Sequence, residues 1–215
     1  MKINYWIIIL LSASLLALAV SYARLASRAT ETALNETSSS AEAVLECIRT
    51  RASVRQYSDR SVPDSVITEI LKAGMAAPSG ANCQPWELVV VTERAINDTL
   101  AAGLPFAKML DQCAFSVAVC GNMGKIFHAD TRDSGLWIQD CSAVSENMLL
   151  AAHALGLGGV WCGIFPVQER EELMQRVLNL PDSIVPMSIL SFGYPASDTH
   201  PKDKWTEAKV HYNKF

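Results

Sequence analysis

Four arginines crowd the stretch from Arg49 to Arg60 (Arg49, Arg51, Arg55 and Arg60), with Asp59 as the one acid among them. Within it Arg51-Ala52-Ser53-Val54-Arg55 alternates in a way that an extended backbone converts into geometry, because residues 51, 53 and 55 then point to one side. Two guanidinium groups and a hydroxyl gathered like this suit a phosphate, whose oxygens accept paired hydrogen bonds from the guanidinium fork. A second basic run closes the chain, with Lys202, Lys204, Lys209 and Lys214 against Asp203 and Glu207. The plainer alternative for either run is a solvated charged loop.

Chemistry of another kind gathers in Ala77–Trp86, APSGANCQPW. Pro78 and Gly80 shape a turn, and Ser79, Asn82 and Gln84 supply neutral groups that donate and accept together, as a flat heterocycle with a polar rim requires. The same amides could instead satisfy the turn's own backbone. A third cluster, GLGGVWCG at 156–163, resembles a dinucleotide fingerprint and fails as one. Trp161 stands where G-x-G-x-x-G needs its last glycine, and a helix precedes the cluster where a strand is required. Gly158 and Gly159 read as a helix-to-strand turn, after which backbone N–H groups can approach a ligand.

These clusters need a scaffold, and the composition provides for one. The chain has 215 residues, 50% of them hydrophobic and 19% charged, with a net charge of −4. That balance builds a core and excludes a disordered or coiled-coil chain, and it argues against general binding to a nucleic-acid backbone. The spacing predicts helices over Ala41–Thr50, Pro63–Ala76, Glu93–Ala102, Ser134–Leu155 and Val167–Leu178, with Pro63 in the first turn of its helix. Apolar β-branched runs predict strands over Trp86–Thr92, Ala114–Cys120 and Ser183–Phe192. Strands separated by unequal helices, without a repeat, define one α+β domain with helices layered over a sheet. In the long helix Trp137, Cys141, Val144, Met148 and Leu155 form a core face. Asp140, Ala143, Asn147, Ala151 and Ala154 form a second stripe of small and polar residues, expected to receive another backbone from the same subunit or, in a dimer, from its partner.

Six cysteines, Cys47, Cys83, Cys113, Cys120, Cys141 and Cys162, contain no C-x-x-C, and a chain of this size can bury a core without staples. They read as small buried hydrophobes. His128, His153, His200 and His211 lack ligand spacing, so no metal site is expected. At the N-terminus, Lys2 precedes an uncharged run from Tyr5 to Val20, followed by Ser21 and Ala23. This reads as a secretory signal cleaved after Ala23 or as a single-span anchor, placing the domain in the periplasm or at the membrane. Residues 24–40 read as a polar linker, and 41–215 as the domain.

Taken together and in this order, RASVRQY, APSGANCQPW, ENMLLAAHALGLGGVWCGIF and PKDK resemble the FMN-dependent nitroreductase family over about residues 43–213. The resemblance implies a three-layer α/β/α sandwich with a mostly antiparallel central sheet. It implies that Arg51, Ala52, Ser53 and Arg55, with Lys202 and Lys204, hold the FMN phosphate and ribityl chain. Pro78, Ser79 and Asn82 would approach the flavin from the partner of a homodimer, with Gln84 beside them, and Val160, Trp161, Cys162 and Gly163 would run past the ring. NADH or NADPH would then deliver hydride to flavin N5 by a ping-pong sequence, for nitroaromatic, quinone or similar small-molecule acceptors, with no side chain as nucleophile or general base. Two alternatives accompany this reading. One is reductive dehalogenation on the same fold, which requires a lid that the connections 103–112 and 121–133 look too short to supply. The other is a flavin-binding module without catalysis.

Overall fold

The computed structural model describes residues 18, 21–22, 24–25, 40–127 and 135–215. The chain divides into two compact units, 1–46 and 47–215. The expected signal or anchor and the linker lie outside the described residues, apart from helical positions at 18, 21–22, 24–25 and 40. Among the described residues no helix is long and apolar enough to cross a membrane.

In the second unit a single sheet runs β1-β2-β4-β3. It is built from β1 (Trp86–Val91), β2 (Phe115–Asn122), β3 (Gly158–Gly163) and β4 (Ile184–Gly193). Every neighbouring pair is antiparallel. The helices are α1 (40–50), α2 (Asp64–Met75), α3 (Arg94–Gly103), α4 (Leu136–Ala154) and α5 (Gln168–Leu178). Pro63 sits just outside α2, extended at its N-cap, one position earlier than the first-turn place expected for it.

Side-chain alternation sorts the sheet into two cores. Phe115, Val117 and Val119 of β2 join Ile67 and Ile70 of α2 and Trp137, Cys141, Val144 and Met148 of α4. Ala118 and Cys120 join Leu100 of α3 and Met174 of α5 on the opposite face. The result is a three-layer α/β/α sandwich. Because both faces of β2 are covered, its residues read as a continuous apolar run, which is how a fully buried strand looks in sequence. Phe115 of β2 and its cross-strand partner Phe192 of β4 stack with centroids 5.0 Å apart.

β4 holds Pro186, a residue that cannot donate to a ladder. The pairing skips there: Val119 opposes Ser188 and Cys120 opposes Pro186, which leaves Met187 as the extra residue of a bulge. The Met187 carbonyl accepts hydrogen bonds from Ile164 and Phe165 instead, tying the end of β3 to β4.

α4 stops at Leu155, and the chain reverses through Gly156 at φ 79°. Gly158 and Gly159 are therefore not the turn. They are the first two residues of β3, and their role is close approach, as described below. The small-residue stripe of α4 is met in part by the same chain, since Asn147 Nδ2 donates to the Ala73 carbonyl of α2 at 3.1 Å.

Candidate functional site

The arginine segment is fastened to the outer edge of the sheet. Ser53 bridges Gly159 in parallel, and the Val54 amide donates to the Gly159 carbonyl at 3.1 Å. Val54 packs where a side chain at Gly158 would be. A Cβ there would fall 2.5 Å from Val54 Cβ, so only glycine admits the segment this closely. Tyr57 completes the attachment, its hydroxyl donating to the Val54 carbonyl at 2.8 Å.

Fixed in this way, Arg51, Ala52, Ser53 and Arg55 line a cavity of about 280 Å³ together with Lys202, Lys204 and His200. Residues 51–55 and 202–204 thus meet across the fold, and no acidic side chain lines the cavity. Arg51 is held from α4, where Glu146 Oε1 lies 3.2 Å from its Nε. Next to it, His153 Nε2 is 2.8 Å from Thr50 Oγ1. Burial first and the Arg51 guanidinium second hold the His153 imidazole below its usual range, so it is biased toward the neutral form.

A larger cavity, of about 340 Å³, borders Arg60 and Arg94. Its cations are already committed. Arg94 donates to the Leu110, Asp111 and Cys113 carbonyls, and Arg60 stacks 3.7 Å over the Tyr194 ring. The Arg51 cavity is the stronger anion site.

The amide turn lies elsewhere. Ser79 precedes a 3-10 turn at Gly80–Asn82, and Ala81, Asn82 and Gln84 all have positive φ, at 49°, 56° and 48°. Each non-glycine residue held there costs about 1–2 kcal/mol. The turn is locked by Gln84 N–H donating to Ser79 Oγ, by Gln84 Nε2 donating to Asn82 Oδ1, and by Gly80 N–H donating to Asp140 Oδ1 of α4 at 2.9 Å. Gln84 thus spends its side chain inside the turn, and Pro78, Ser79, Asn82 and Gln84 do not line the Arg51 cavity. α4 separates the two places. Asp140 and Glu146 are six residues apart, roughly 9 Å along the axis and about 120° around it.

Along β3 the four expected residues divide by pleat. The side chains of Val160 and Cys162 point into the α3/α5 core, so they can meet a ligand only through their backbone. Burial pushes the Cys162 thiol up to about 11, leaving it a neutral packing residue. Trp161 lies on the α4 side, and a Cβ at Gly163 would meet nothing within 4 Å. Arg170 of α5 fixes that end, donating from Nη1 to the Gly163 carbonyl at 3.0 Å while lying 4.2 Å over the Phe106 ring.

Sequence reasoning overlooked His200, although it stands two residues before Lys202. Glu146 and Arg170 had no local signal, because Glu146 acts on an arginine distant in the chain and Arg170 acts on a backbone carbonyl, that of Gly163. Among the described residues no cluster of histidine, cysteine and acidic side chains could hold a metal ion.

The family model described as the Nitroreductase family matches residues 48–194, and the chain belongs to that family. A protein of Methanothermobacter thermautotrophicus, provisionally named NADH dehydrogenase/NAD(P)H nitroreductase, is 37% identical over 80% of this chain and 87% of its own. The FMN reductase [NAD(P)H] of Bacillus subtilis is 28% identical over 79% of this chain and 72% of its own. A crystal structure from Bacteroides thetaiotaomicron, under the same provisional name as the first relative, superposes with a TM-score of 0.75 at 43% identity, covering 80% of this chain and 98% of that one.

Proposed function

We propose that this nitroreductase-family protein is an FMN-dependent oxidoreductase that draws hydride from NADH or NADPH and passes it to nitroaromatic, quinone or similar acceptors in a ping-pong sequence. The observation that carries the reading is the cavity where Arg51, Ser53, Arg55, Lys202 and Lys204 converge with no acidic side chain in its lining, the Glu146 carboxylate meeting Arg51 from α4. Such a donor set fits a phosphate dianion: the arginines supply forked donors, the lysines point charges, and Ser53 a hydroxyl. FMN, when bound, supplies the hydride-transfer chemistry. The chain's own task is then to bind and orient. Arg51, held by Glu146, fixes the phosphate end, while the outer edge of β3 leads from that cavity toward the open space at Gly163.

The placement of the amide turn across α4 from the Arg51 cavity favours a homodimer in which Ser79 and Asn82 of one copy serve the flavin held by the other. The apolar run Tyr5–Val20 supports an exported or membrane-anchored protein, a reading that cell fractionation tests. The activity is tested by anaerobic titration of the FMN-loaded protein with NADH and with NADPH. Bleaching at about 450 nm, reversed by a quinone or nitroaromatic, is the expected result. Flavin that neither nicotinamide bleaches contradicts the proposal and leaves a binding module without catalysis.

A further inference from the structure

One buried carboxylate has no role in gripping a phosphate. Asp140 lies in the second turn of α4 and is 7% exposed. Its Oδ1 accepts the Gly80 N–H at 2.9 Å. Its Oδ2 is the one buried side-chain oxygen or nitrogen without a hydrogen-bond partner among the described residues. A carboxylate so enclosed is costly, and a neutral apolar residue would fill the same volume more cheaply unless the carboxylate does something there.

Its single bond falls on the residue that opens the strained turn. Three departures into the left-handed region within four residues, at Ala81, Asn82 and Gln84, cannot persist without outside support. The two side-chain bonds among Ser79, Asn82 and Gln84 act only within the turn and cannot orient it against the rest of the fold. Asp140 does so, by a charge-assisted bond from the rigid central helix. Two turns along the same face of α4, Asn147 holds the Ala73 carbonyl near the end of α2, the helix that delivers the chain to Pro78. The turn is therefore tied to α4 at its entrance and at its first amide.

We infer that Asp140 is the positioning residue of the Ser79–Gln84 turn, holding it in the strained conformation in which Ser79 and Asn82 meet the flavin. The flavin part of this statement rests on the function proposed above, whereas the holding of the turn does not.

Hydrogen exchange of the flavin-free protein, followed by FMN titration, tests both parts in wild type, Asp140→Ala and Asp140→Asn. Asparagine keeps an oxygen for the Gly80 N–H, and alanine does not. Peptides covering 79–84 should exchange at least tenfold faster in D140A, with the protection of α4 itself kept, and D140N should stay within about threefold of wild type. FMN should dissociate on the order of tenfold more readily from D140A, with D140N again restoring binding. If D140A does not purify, Gly80→Pro removes the same bond from the donor side, at a position where a Cβ meets nothing closer than 3.7 Å, and should reproduce the effect. Wild-type protection of 79–84 and wild-type FMN affinity in either D140A or G80P overturn the inference. Failure of the wild-type protein itself to bind FMN overturns the function proposed above, while the exchange result still judges Asp140.

Discussion

The Glu146 carboxylate approaches Arg51 at the Nε edge of the guanidinium, with Oε1 3.2 Å from Nε. That choice matters, because the terminal pair is the fork that takes a phosphate in bidentate fashion. A helix carboxylate thus holds the guanidinium at its Nε edge, and Nη1 on the opposite edge points away from it. With Glu146 48% exposed, the pair adds little to stability, about 0–1 kcal/mol. Its value lies in orientation. Glu146→Ala should therefore weaken FMN binding about three- to tenfold with an unchanged melting temperature. Glu146→Gln, which keeps an acceptor, should stay within about threefold, as fluorescence quenching of FMN would report.

Two glycines of β3 should respond in opposite ways. At Gly158 a methyl group collides with Val54 and levers the arginine segment off the sheet edge. Gly158→Ala should cost about 1–3 kcal/mol of stability and loosen FMN by more than tenfold. Gly163→Ala meets nothing within 4 Å and should melt with the wild type. Thermal unfolding of the two variants side by side checks this.

The six cysteines are all unpaired, and four of them are buried. Burial pushes the Cys113 and Cys120 thiols up to about 12 and Cys162 up to about 11, with Cys141 raised as well. Thiolate is the reactive form, so a disulfide reagent at pH 8 should titrate only the half-buried Cys47 and Cys83 quickly in the native protein. All six should react in denaturant. Rapid native reaction of more than two would contradict this packing.

His153 gives the fold an acid-side weakness. Its proton affinity is lowered in the native state, by burial and then by Arg51. Both states hold a neutral imidazole above the ordinary value of about 6.5. As pH falls through that value the unfolded chain takes up a proton that the native chain resists, so stability declines until the lower native value is passed. Urea midpoints measured from pH 8 to 5.5 should fall, and His153→Gln should flatten part of that slope.

Much of the sandwich was legible because each element carries its own signal. Three strands are β-branched runs, and α4 shows an apolar stripe at helical spacing. β3 was harder to read. Gly158 and Gly159 have poor strand propensity, and their presence in a strand is explained by close packing, Gly158 against Val54 more than a hundred residues earlier and Gly159 against Leu149 and Phe192. The cationic half of the site was readable from alternation at 51, 53 and 55. The supports behind it were not, since Glu146 and Asp140 look like ordinary polar positions of a helix until Arg51 and Gly80 are brought against them.

The central claim is that the Arg51 cavity grips the phosphate of a flavin, and a comparison of FMN with riboflavin isolates that phosphate. Equilibrium binding of both flavins to wild type and to Arg51→Ala measures it directly. The account predicts that wild type prefers FMN by at least about a hundredfold, in keeping with several charge-assisted bonds, and that the preference largely collapses in R51A. Equal affinity for the two flavins in wild type, or an FMN preference untouched by R51A, would contradict it.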